Sequence, residues 1–74
     1  MKITFNFRSG VGPLTLELPG EETDLVNQIK SAIEKGEVLD FTDTKGDRVV
    51  IPAEMIGYVI APTTAAHKVG FGRL

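Results

Sequence analysis

The sequence predicts an α+β domain, a mostly antiparallel sheet of four to six strands with one helix packed on one face, in the order ββαβββ. Three observations carry that expectation. Two early runs alternate apolar and polar residues, one apolar stripe at helical spacing follows them, and three short apolar runs separated by turn residues come last. Residues 1–74 read as a single domain, without internal repeat, low-complexity tract or linker.

Ile3, Phe5 and Phe7 alternate with Lys2, Thr4, Asn6 and Arg8, the period of a strand with one buried face. Leu14, Leu16 and Leu18 repeat the pattern against Thr15 and Glu17. The intervening SGVGP has the glycines and proline of a tight connection, so the two runs predict an antiparallel hairpin. PGEET ends the second strand. Beyond it Leu25, Val26, Ile29, Ala32 and Ile33 fall at i, i+1, i+4, i+7 and i+8, one stripe of a helix over about residues 23–35. Thr23 or Asp24 is placed to cap its start, Glu21, Glu22 and Asp24 favour the positive end of its dipole, and Gly36 stands where a left-handed residue ends a helix. Lys30, Ser31, Glu34 and Lys35 fall on the opposite side and read as a solvated face.

Leu39 and Phe41 then alternate with Asp40 and Thr42, DTKG supplies a turn whose Gly46 accepts a positive φ, and residues 48–51 form the return strand. Pro52 lacks an amide donor and should end that strand, PAEM makes one short helical turn, and residues 57–61 extend again.

The open face of this sheet carries the first functional expectation. If Ile3, Phe5, Phe7, Leu14, Leu16, Leu18, Leu39, Phe41, Val49 and Ile51 face the helix, Val38 and Val50 face away from it. Ile56, Tyr58, Val59 and Ile60 make the last strand apolar on both faces, and one helix covers only one. A domain of 74 residues is also thin in core. Such domains rarely hold more than about 3–5 kcal/mol and add disulfides, a metal or a second subunit. With no Cys and a single histidine, His67, the first two are removed. A homodimer that buries the second face or edge of the late strands is the expectation.

Eight Lys plus Arg against ten Asp plus Glu give a formal charge of −2, so no overall positive field draws a nucleic-acid backbone. MKITFNF alternates instead of running as an apolar leader core, and no stretch reaches the roughly 20 apolar residues of a membrane span. The default is a soluble, cytoplasmic protein without membrane contact.

Catalytic chemistry finds little footing. The carboxylates cluster in turns, Glu21, Glu22 and Asp24 before the helix and Asp40, Asp43 and Asp47 around the second hairpin, which suits caps and turns better than acid–base work. Counting DFTDTKGD as a calcium loop with Gly46 sixth puts Phe41 first and Pro52 at the twelfth position, where a bidentate Glu belongs, and the spacing fails. Ser9, Ser31 and His67 have no spacing that assembles a nucleophile with its base. GVG in SGVGPL precedes a strand, whereas a phosphate loop needs a helix N-terminus. No catalytic, metal-binding or cofactor-binding residue is expected, and no cofactor.

Lys45 and Arg48 on the second hairpin and Lys68 and Arg73 in the tail are the candidate contacts for nucleic acid, an alternative that a dimer would strengthen by doubling each pair. Against it, no helix is basic and few aromatics are left over from the core to stack bases. The closing HKVGFGRL alternates Val69 and Phe71 with glycines, as a short edge strand does, with Arg73 and Leu74 as its loose end.

FTDTKGDRVVIPAEMIGYV followed by VGFG resembles a family of short, mostly actinobacterial proteins known only as a domain of unknown function. Thr42, Asp43, Gly46, Ile56, Gly57, Tyr58, Val59 and residues 69–72 carry the resemblance, which covers residues 38–72 well and the first hairpin in outline. Some members are labelled ATP-binding, but no nucleotide motif in this chain carries that label over. The resemblance implies no activity and transfers no functional residue. The expected function is therefore a small, non-enzymatic interaction or regulatory module contacting itself or an unknown protein partner through Val50, Tyr58, Ile60, Val69 and Phe71.

Overall fold

A computed structural model of the chain describes residues 1–63. It contains β1 (Lys2–Phe7), β2 (Leu14–Glu17), α1 (Glu22–Lys35), β3 (Val38–Thr42), β4 (Arg48–Pro52), a single 3₁₀ turn (Ala53–Met55) and β5 (Ile56–Ile60). The fold is α+β in the expected order ββαβββ. Its strands divide between two antiparallel sheets, β2-β1-β5 and β3-β4. Next to β2, one backbone bond, from Thr44 N–H to the Glu17 carbonyl at 2.9 Å, ties the turn of the second hairpin to the first sheet. One bond docks the turn without extending the ladder.

Of the first sheet, β1 is the central strand. β1 pairs with β2 from Lys2↔Glu17 to Phe5↔Leu14, and on its other edge with β5, Thr4 opposite Ile60. Its inward side chains, Ile3 and Phe5, are completely buried. They meet Leu16 and Leu18 beside them, Leu25, Ile29 and Ala32 of α1, and Leu39, Phe41 and Ile51 of the second sheet, with Ala53 and Ile56 closing the core. Phe7, Leu14 and Val49, expected on the inward set, pack against this core and stay only partly buried.

The helix starts one residue earlier than expected. Glu21, extended at φ −92° and ψ 148°, is its N-cap and makes no side-chain capping bond. Its carbonyl accepts the Leu25 N–H at 3.0 Å. Neither Thr23 nor Asp24 caps: both lie inside the first turn, where Glu22 and Asp24 place negative charge at the positive end of the dipole. At the other end Gly36 adopts the left-handed conformation, φ 69° and ψ 34°. The Ala32 carbonyl accepts the N–H of Gly36 and that of Glu37 at 2.9 Å, and the Glu37 carbonyl in turn accepts the N–H of Ala53 at 2.9 Å. The cap thus fixes both the end of α1 and its attachment to the 3₁₀ turn. A Cβ at Gly36 would meet nothing within 4 Å, so Gly36→Ala is expected to cost about 1 kcal/mol from backbone conformation alone. A urea midpoint that falls at unchanged m-value would show it.

β5 contains the one irregularity. Asn6 faces Tyr58, but the next residue of β1, Phe7, faces Ile56, so the register shifts between them and Gly57 is left over. An extra residue bulges the strand and resets its alternation. Val59 therefore packs on the core from one side of the bulge and Ile56 from the other, although three residues apart they would face opposite ways in a regular strand. At Gly57 a Cβ would lie 3.2 Å from the Asn6 carbonyl oxygen, a contact tighter than ordinary packing.

Candidate interaction surface

The alternation that sends Val59 inward sends Tyr58 and Ile60 out. They are 61% and 56% exposed, too open to belong to the core. The register sets them beside Asn6 and Thr4 of β1, and Thr4 beside Thr15 of β2. The Thr4 and Thr15 hydroxyls lie 3.0 Å apart across that face and hydrogen-bond to one another. The middle of the outer face of β2-β1-β5 is thus a tyrosine, an isoleucine and uncharged polar groups.

Charge enters only at its end, with Lys2 opposite Glu17. The Met1 α-ammonium lies 2.9 Å from the Glu17 carboxylate and also donates to the Leu18 carbonyl at 2.7 Å. That ammonium beside it, with Lys2 nearby, holds the Glu17 carboxyl below the ordinary carboxylate value.

Val50, the third expected contact residue, lies on the other sheet, facing Asp40 of β3. It is exposed, as is Val38. It belongs to a second surface, a shallow groove between the β1–β2 connection and β4 lined by Phe7, Val11, Leu14, Val50 and Met55. Val69 and Phe71 lie outside the described residues. Of the five expected contact residues, then, Tyr58 and Ile60 share one face, and Val50 stands apart from them.

The candidate nucleic-acid residues are placed less favourably. Arg48 donates Nε to Asp40 Oδ1 at 2.9 Å and an Nη to Asp40 Oδ2 at 2.7 Å, a two-pronged pair across the outer face of β3-β4. Arg48 holds the Asp40 carboxyl below its ordinary value, and Asp40 raises the guanidinium in return. Lys45 sits in a turn organised by acid: Asp43 Oδ1 accepts the N–H groups of Lys45 at 3.0 Å and Asp47 at 2.8 Å. Counting Asp40, Asp43 and Asp47 against Lys45 and Arg48, acid outnumbers base on this hairpin. Lys68, Arg73 and His67 lie outside the described residues.

A cleft of about 370 Å³ runs between α1 and β5. Val26, Ile29, Ile33, Val59 and Ala61 line it, together with Glu22, Lys30 and Thr63. Ile33, expected on the buried stripe, is instead 45% exposed and lines this cleft. The sequence carried a signal for both unexpected surfaces. Ile33 is one apolar residue more than the stripe needs, and Val11 is an apolar residue in the middle of a turn. Among the described residues no group of three or more His, Asp or Glu side chains comes together as a metal site, and no helix is long and apolar enough to cross a membrane.

A family model described as Protein of unknown function (DUF3107) matches residues 1–72. The match takes in the first hairpin together with everything after it, and it runs past Thr63 to Gly72. No curated protein matches the chain.

Proposed function

The chain belongs to the DUF3107 family of proteins of unknown function, and from that premise we propose that it is a non-enzymatic, cytoplasmic interaction module that works as a homodimer, joined through the outer face of β2-β1-β5. The observation that carries the reading is the exposure of Tyr58 and Ile60 side by side on a face with no charge at its centre. Interface cores are depleted of charge and enriched in aromatic residues, and tyrosine is among the side chains that concentrate binding energy. A two-fold contact sets this face against itself. The need for such a contact follows from the core, which draws on one helix and two small sheets.

Light scattering at micromolar concentration is expected to give twice the chain mass, and Tyr58→Asp with Ile60→Asp to give the chain mass with an unchanged far-UV spectrum. A monomeric wild-type protein would sink this reading. The nucleic-acid alternative draws no support from the hairpin, where Arg48 is engaged by Asp40. A gel shift at low salt, where phosphate contacts are strongest, should show no retardation.

A further inference from the structure

The α1–β5 cleft is a different surface, on the opposite side of β5 from Tyr58 and Ile60, and it is independent of the dimer. We infer that it is the seat of this chain's own residues 69–72, with Val69 and Phe71 as two pegs against Ile29, Ile33 and Val59.

Four observations lead there. The chain reaches the cleft by itself: Ala61 and Thr63, the last residues before the tail, already lie along it. A segment tethered at its binding site has an effective concentration in the millimolar range for a short linker, which favours its own tail over that of a second copy. The reach suffices, since Val69 lies six positions beyond Thr63, up to about 20 Å away when extended, whereas Val26 to Ile33 covers about 10 Å of helix.

The spacing also matches. Side chains two apart on an extended chain stand about 6.8 Å from one another on one side, and Ile29 and Ile33 are separated by about 6 Å along the helix. Gly70 and Gly72, alternating with the pegs, leave room for the helix surface to approach the backbone. Beside the cleft, β5 pairs only with β1 among the described residues, so its other edge offers N–H and C=O groups to an added extended segment. Finally, the family match runs to Gly72 and so includes VGFG with the folded body. A segment that completes the core has reason to be part of that unit, and Arg73 and Leu74 fall beyond it.

Methyl NMR on the full chain tests this. Nuclear Overhauser contacts from the Phe71 ring to the Ile33 and Val59 methyls are expected in a uniformly labelled sample, and should be absent when only contacts between labelled and unlabelled copies are selected. Phe71→Ala should abolish them, shift both methyl resonances and lower the melting temperature by at least about 4 °C, while the Phe5–Phe41 contacts in the core persist as proof of folding. Ile33→Lys, changing the cleft instead of the tail, should release the Phe71 ring in the same way. Absence of the contacts in the wild-type protein overturns the inference, and so does finding them only between copies, which would make the segment an exchanged one. Tyr58→Asp should leave the contacts unchanged, so a failed dimer and an empty cleft are separate results.

Discussion

Phe5→Ala is expected to leave most molecules unfolded at room temperature. Phe5 has no exposed surface and sits on the central strand of the first sheet, its ring centroid 6.2 Å from that of Phe41 on the second, with the rings tilted by 44°. The pair joins the two sheets through their side chains, where few backbone bonds do so. Truncating a buried phenylalanine costs about 3–5 kcal/mol, and the cost is greatest where the surroundings cannot collapse. Here the cavity would open between two sheets and a helix, each held by its own hydrogen bonds. The loss equals the whole margin of about 3–5 kcal/mol that a core of this size supplies. Far-UV circular dichroism through a urea titration measures it, with Phe5→Leu, which keeps most of the volume and should cost less than the alanine change, as the control. A folded alanine variant with a midpoint near that of the wild type would mean that Phe41 and its neighbours close the gap, and that the two sheets are joined elsewhere.

Gly57→Val should also destabilise the protein, through backbone it cannot displace. The added Cβ would stand 3.2 Å from the Asn6 carbonyl oxygen and 3.6 Å from both the Phe7 carbonyl carbon and the Arg8 nitrogen, all of them backbone atoms of β1 and its continuation. None can swing aside as a side chain would. β5 must either lift from β1 or move its bulge, and moving the bulge by one residue turns part of the strand over. Ile56, now buried, would then face water. A destabilisation of about 1–3 kcal/mol is expected, as for other overpacked sites, with Gly57→Ala at the lower end because it adds no atoms beyond Cβ. Thermal unfolding of the three proteins side by side checks the order, and a valine variant that melts with the wild type would show that the bulge tolerates a side chain.

The local parts of this fold were legible in the sequence because they rest on short-range rules. Period-2 alternation marked both hairpins, the stripe from Leu25 to Ala32 marked the helix, and Gly36 marked its end, the one residue type that takes φ 69° without strain. What escaped depends on pairing across the chain. Nothing within Lys2–Phe7 says that it takes the last strand as its second neighbour, and without that pairing the Gly57 bulge reads as a break in alternation. The helix start was misplaced because Glu21 begins the helical bonds with its carbonyl alone, and side-chain chemistry gives no sign of that. At the surface, Tyr58 and Ile60 were legible as the surplus apolar side of a strand. The separation of Val50 from them was not, since it follows from the division into two sheets.

The place of β1 has a kinetic consequence. It precedes the other described strands in the chain and cannot be completed until β5 is made, since Thr4 pairs with Ile60. The β3–β4 hairpin, whose partners lie within a short span of chain, can close as soon as it is made, and β1 with β2 likewise. One edge of β1 stays open until β5 is made, carrying Ile3 and Phe5 with it. Closing that long loop is the slow, entropically costly contact of the kind that sets folding rates in small β-containing domains. The interval before β5 is made leaves that unpaired edge exposed to mispairing with another copy.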